Sequence, residues 1–202
     1  MIKNIIFDIG DVLVKTRELG FFTDKGYDAY TADSLAKATY LTPYWKELDR
    51  GVWSYKRIVD AFVENTPSLE KEIRYSMRDL GGFIERNFCS KTWIKRLRAQ
   101  GMRVYCLSNI SSKIYYDCKS ELDFLSVLNG YVFSYQERVI KPDPEIYKVL
   151  LRRYSLKADE SIFIDDRFEN INAARSLGFH GIVYKSIEQA EGEIAHIRRE
   201  SK

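Results

Sequence analysis

The chain has 202 residues, 45% hydrophobic and 30% charged, with a net charge of +3, a balance that suits one sizeable globular core and excludes a disordered or low-complexity chain. The charge is too small, and Lys/Arg too evenly mixed with Asp/Glu, to expect nucleic acid as a partner. No apolar run approaches the roughly 20 residues needed to cross a bilayer, so no membrane partner is expected either.

The first predicted strand, Ile2–Asp8, is an apolar run ending in a carboxylate, followed by Ile9 and Gly10 before the apolar pattern resumes. The carboxyl end of a strand in a parallel α/β sheet is where ligands collect, so an Asp there suits a nucleophile or a metal ligand. No signal-peptide pattern precedes this strand, which points to a cytoplasmic protein. Between Val14 and about Phe88 the patterning is helical only, over Tyr30–Tyr40, Tyr44–Arg50, Tyr55–Val63 and Leu69–Leu80. A helical insertion at that place sits above the ligand-binding edge of a sheet, as a lid does. Its many rings, among them Phe21, Phe22, Tyr30, Tyr40, Trp45 and Trp53, are expected mainly to form the lid's own core. Gly51, after Asp49-Arg50, marks a helix end where positive φ is needed.

Ser90 is the predicted N-cap of a helix through Trp93, Ile94 and Leu97, with Gly101 as its stop. Strands follow at Arg103–Leu107, Tyr131–Ser134, Ser161–Asp165 and Gly181–Tyr184, and helices at Pro144–Tyr154 and Asn170–Leu177. Such alternation indicates right-handed βαβ units and a parallel sheet. Cys89, Cys106 and Cys118 form no CxxC pair and are odd in number, which favours free thiols in a reducing compartment. The two histidines, His180 and His196, both fall late in the chain, and His180 is expected to be structural. With so few imidazoles, the chemistry must run on carboxylates.

Ser108 and Asn109 lie just beyond the second core strand, where a hydroxyl and the N–H groups of a turn make a compact oxyanion cradle. Lys141, in Val-Ile-Lys-Pro-Asp-Pro, places an ammonium in a Pro-stiffened turn before a helix. Asp165 and Asp166 end the fourth core strand, and adjacent carboxylates repel unless they share a cation, for which hard oxygens favour Mg²⁺. Singly, each has a plainer explanation: a serine ending a strand, a solvated lysine, an Asp pair capping the next helix. All of them in order, each beyond its own successive strand, is what the plainer explanation accounts for poorly.

The order Asp8, Ser108, Lys141, Asp165/Asp166 resembles the haloacid dehalogenase-like hydrolase superfamily. The nearest pattern is its subgroup with a helical cap after the first strand, which includes sugar-phosphate phosphatases and the phosphatase domain of soluble epoxide hydrolases. The resemblance covers the first strand and about Trp93 to Tyr184, and the insert matches in position and size. It implies an α/β fold, a Rossmann-like parallel sheet core over residues 1–14 and 89–202 with an all-helical cap over 15–88. It further implies that Asp8 attacks the phosphorus of a phosphomonoester and forms an aspartyl-phosphate, with Mg²⁺ held by Asp8, the Gly10 carbonyl and Asp166. Asp165 would support the metal shell. Ser108 and the Asn109 N–H would hold the phosphoryl oxygens, and Lys141 would balance their charge. The implied substrate is a small phosphorylated metabolite, a sugar phosphate first; no oligomeric state is implied.

One position departs. Most phosphatases of this family carry a second Asp two residues after the nucleophile as acid and base, and here Gly10 occupies it, with Asp11 one residue further on. Three readings stay open: Asp11 swings into the role, water or a substrate group replaces it, or the chain is a catalytically weakened phosphate-binding or protein-interaction member of the fold. A dehalogenase is disfavoured, because expelling halide needs no metal; a phosphomutase is disfavoured because it depends on that Asp.

Overall fold

Apolar runs become strands and amphipathic stretches become helices in the computed structural model, which describes residues 1–201. In chain order the elements are β1 (Asn4–Phe7), β2 (Val14–Thr16), α1 (Glu18–Asp24), α2 (Ala29–Ala38), α3 (Pro43–Arg50), α4 (Tyr55–Asn65), α5 (Glu70–Ser76), β3 (Ile84–Arg86) and α6 (Ser90–Ala99). They continue with β4 (Arg103–Ser108), α7 (Ser112–Asp117), β5 (Gly130–Phe133), α8 (Ser134–Glu137), α9 (Pro144–Tyr154), β6 (Ser161–Asp165), α10 (Phe168–Ser176), β7 (His180–Val183) and α11 (Ile187–Glu200).

The main sheet has the order β5-β4-β1-β6-β7 and every neighbouring pair is parallel. The chain builds outward from β1 through β4 to β5, then crosses β1 to build β6 and β7 on the other side. That reversal opens a crevice beyond the carboxyl ends of the central strands, the place where open α/β sheets bind ligands. Asp8 stands directly there, its N–H extending the ladder to the Ile164 carbonyl at 2.8 Å, and Asp165 ends the adjacent β6.

Both faces of the sheet are covered, which is why its strands read as continuous apolar runs. Ile5 and Phe7 belong to one buried layer with Cys106 and Ile164, and Ile6 to the other with Leu107 and Phe163, the two-residue period of a strand. Trp93 of α6 meets Phe7 at 4.6 Å between ring centroids, and Tyr147 of α9 meets Phe163 edge-on at 5.5 Å. Each side chain so buried contributes roughly 1.5–3 kcal/mol.

The helices α1 to α5 gather around an aromatic core, with Phe21, Phe22 and Trp45 buried, as expected for those rings, and Phe62 beside them; Tyr30, in contrast, is 84% exposed. Gly51 ends α3 at φ +70°, and a Cβ there would lie 2.9 Å from the backbone of Tyr135. Conformation and close approach together exclude a side chain, so the end of α3 lies directly against α8. Cys89, Cys106 and Cys118 are all free. No helix among the described residues is long and apolar enough to cross a membrane.

Three local expectations are corrected. Two short strands lie in the stretch expected to be purely helical: β2 and β3 pair antiparallel, with Val14 opposite Arg86 and Thr16 opposite Ile84, where the insert leaves and returns. Three residues carry no readable alternation, and the partners are far apart in sequence, so periodicity cannot reveal them. Ser90 does not cap α6 but is its first residue, and it donates its hydroxyl to the Leu13 carbonyl at 2.7 Å. A short hydroxyl takes whichever backbone acceptor the fold presents, here in the turn after Asp8. The helix predicted over Leu69–Leu80 is α5 and ends at Ser76.

Candidate active site

Asp8, Asp165 and Asp166 converge, each offering a carboxylate oxygen within 4.8 Å of the others. Lys141 is buried between two of them, its Nζ 2.8 Å from Asp8 Oδ1 and 2.6 Å from Asp165 Oδ2. An ammonium in that position is tolerable only because it is paired. Burial alone would lower its pKa, but Asp165 and Asp8 outweigh it and hold the lysine above its ordinary value.

Asp165 has its remaining lone pairs filled. The Arg167 N–H donates to Oδ1 at 2.9 Å, and the Asn170 amide donates to both oxygens at 3.0 Å. Fully buried and saturated, this carboxylate fixes Lys141; it does not line the cavity above it. The backbone of Lys141 is clamped as well. Its N–H donates to Asn109 Oδ1 at 2.8 Å, and Asn109 Nδ2 donates to its carbonyl at 3.0 Å. The Asn109 side chain is therefore a positioning group, a role its sequence setting did not suggest.

The Ile9 N–H donates to Asp8 Oδ1 at 2.7 Å. Burial pushes Asp8 up to about 7, against the attraction of Lys141 and with the repulsion of Asp165, while the Lys141 and Ser108 hydrogen bonds favour its ionised form. Asp166 is pushed up to about 6 by burial, then by Asp165 and Asp11. One ammonium among three carboxylates leaves an excess of negative charge on hard oxygens. That donor set fits a small divalent cation such as Mg²⁺.

A cavity of about 710 Å³ opens above this floor. Asp8, Gly10, Asp11, Ser108, Asn109, Lys141 and Asp166 all line it, so of the sequence-predicted site residues only Asp165 lies beneath. Asp11 sits at φ +52° with Oδ1 accepting the Thr16 N–H at 2.9 Å, an exposed carboxylate committed to the turn into β2. At Gly10 a Cβ would meet nothing nearer than Thr16 Oγ1 at 3.7 Å, so a side chain fits there.

The insert supplies the other wall, including Tyr40, Thr42, Trp45, Lys46 and Asp49. Asp49 is the residue that the sequence concealed, because Asp-Arg-Gly at the end of α3 already has a complete explanation as a helix terminus. Its Oδ1 is buried without a hydrogen-bond partner. Burial, and then repulsion from Asp8, push this carboxyl up to about 7, with Lys141, Arg167 and the Ser111 N–H pulling the other way.

Residues 2–178 match the haloacid dehalogenase-like hydrolases. The D-ribitol-5-phosphate phosphatase of Bacteroides thetaiotaomicron is 31% identical over 195 residues, which are 89% of this chain and 90% of that protein. A sesquiterpene phosphatase of Aspergillus oryzae is 29% identical over 111 residues, 55% of this chain and 57% of its own, so the chain spans little more than half of that relative. Among solved structures, a HAD family enzyme from Bacteroides thetaiotaomicron in complex with magnesium and inorganic phosphate superposes with a TM-score of 0.72 at 22% identity, covering 93% of this chain and 96% of the other.

Proposed function

Because the chain belongs to the haloacid dehalogenase-like hydrolase family, we propose that it is a Mg²⁺-dependent phosphatase of a small phosphomonoester, working through an aspartyl-phosphate on Asp8. The observation that carries this reading is the convergence of Asp8, Lys141, Asp165 and Asp166 under one cavity, with Asp8 facing it at the end of the central strand. The D-ribitol-5-phosphate phosphatase relative supports a sugar or polyol phosphate as the substrate class.

In this reading Asp8 attacks the phosphorus with the oxygen not committed to the Ile9 N–H and Lys141. Ser108 and the Asn109 N–H hold the phosphoryl oxygens. Lys141, fixed by Asp165 and Asn109, neutralises charge as it shifts from the ester to the enzyme; positioned charge of this kind supplies most of the catalysis of phosphoryl transfer. Asp8, Asp166 and the Gly10 carbonyl would hold Mg²⁺, which when bound withdraws charge from the phosphoryl oxygens and keeps Asp8 ionised. Residues 15–88 act as the cap over a core of residues 1–14 and 89–202, so specificity comes from the wall that this cap supplies to the cavity.

Release of phosphate from p-nitrophenyl phosphate tests the reading. It is expected to need Mg²⁺ and to stop with EDTA, and a panel of sugar and polyol phosphates should exceed it in kcat/KM. Hydrolysis indifferent to EDTA would remove the metal from the mechanism.

A further inference from the structure

The position that normally carries the acid and base is Gly10, and the carboxylate beside it, Asp11, has its Oδ1 bound to the Thr16 N–H. We propose that Asp49, from the opposite wall, is the general acid and base of the reaction, a catalytic residue that touches the leaving ester oxygen and then the attacking water. This rests on the phosphatase reading of the same site.

Three independent features support the assignment. Asp49 lines the same cavity as Asp8, from the wall that α3 supplies, and in-line displacement at a phosphoryl group seated on Asp8 places the ester oxygen on the side away from Asp8. Its Oδ1 is buried without a partner, and a buried polar atom left unpaired requires an explanation; a catalytic role supplies one. The residue is also held firmly. Its carbonyl accepts the Ser134 hydroxyl at 2.6 Å, and the same Ser134 oxygen accepts the Ile110 N–H at 3.0 Å, directly after the Ser108–Asn109 cradle. The acid and the phosphate cradle are thereby tied to one serine.

The charged and titratable groups that line the cavity with Asp49 are Asp8, Asp11, Lys141, Asp166, Arg167 and Glu169 from the core and Glu18, Tyr40 and Lys46 from the insert. Burial is the largest influence on its carboxyl, ahead of the repulsion from Asp8. A carboxyl raised to about 7 is matched to transfer near neutrality.

In the first step the bond from Asp8 to phosphorus forms, the bond from phosphorus to the ester oxygen breaks, and the Asp49 proton moves to that oxygen, releasing the alcohol. In the second the bond from water to phosphorus forms, the bond from Asp8 to phosphorus breaks, and a water proton moves to Asp49, restoring both groups.

The test compares Asp49→Asn with wild type on glycerol 2-phosphate, whose alkoxide leaves poorly without a proton, and on p-nitrophenyl phosphate, whose phenolate leaves without one. On the alkyl ester kcat/KM, which reports the first step, is expected to fall by about 10²–10⁴-fold, and on the aryl ester by at least about ten-fold less. Gly10→Asp in the Asp49→Asn background should recover part of the alkyl activity. Wild type alone gives the same contrast: kcat/KM for the alkyl ester falls as pH rises through neutrality, because the acid loses its proton, and the aryl ester lacks that limb. Equal losses on both esters, no loss on either, or matching pH profiles for the two esters overturn the role of Asp49 and leave Asp8 chemistry standing. No phosphate release from either ester by wild type overturns the phosphatase reading and this one with it.

Discussion

Replacing Lys141 with Met is expected to lower turnover steeply and to cost about 3–5 kcal/mol of stability at pH 8. Among the described residues the ammonium is the only cation in contact with both Asp8 and Asp165, at 2.8 and 2.6 Å, and methionine fills its volume without its charge. Two buried carboxylates then face each other, and removing one partner of a buried ionic group leaves the others uncompensated. They relieve the repulsion by binding protons, so the penalty should shrink at pH 5, where protonation is easier. Denaturant midpoints at the two pH values measure this, and phosphate release reports the loss of charge balance, at least about 10²–10³-fold by comparison with other oxyanion donors. A variant as stable as wild type at pH 8 would mean that the lysine is not what holds the cluster together.

Asp8→Asn is expected to lower kcat by at least about 10³-fold, since an amide cannot form the acyl phosphate. Its stability should move the other way. The folded value of about 7 lies above the ordinary 3.8, so the folded protein binds this proton more tightly than the unfolded chain does. The stability that Asp8 contributes is therefore present at low pH and is lost as pH rises from about 4 through 7. Asparagine has no such loss. Metal-free Asp8→Asn should match wild type near pH 4 and exceed it at pH 8 by roughly 1–3 kcal/mol. Thermal melts in EDTA at the two pH values measure the difference. A variant that is less stable at pH 8 would show that the carboxylate is held at no cost.

The parallel sheet was legible because both of its faces are covered. Ile5-Ile6-Phe7, Val104 to Leu107 and Ile162-Phe163-Ile164 read as unbroken apolar runs, and each ends in a polar residue that solvent exposure alone does not explain. Asp8, Ser108 and Asp165/Asp166 were visible for that reason, and Lys141 because two prolines frame its turn. The β2–β3 pairing was not legible, nor was the Ser90 bond to Leu13 or the Asn109 clamp on Lys141, because each is made between residues distant in the chain and leaves no local pattern. Asp49 was hidden differently. Its place before Arg50-Gly51 is fully accounted for by helix termination, and only the approach of Gly51 to Tyr135, which brings α3 against the core, gives its carboxyl a second role.

In the proposed reaction Asp8 takes the phosphoryl group covalently. Enzyme quenched in acid during turnover of a labelled phosphomonoester with Mg²⁺, then digested and mapped, tests this directly. The expected result is one hydroxylamine-labile phosphoryl group on the peptide carrying Asp8, absent from Asp8→Asn. Turnover in which that peptide stays unmodified, or in which the label sits on another residue, would contradict it.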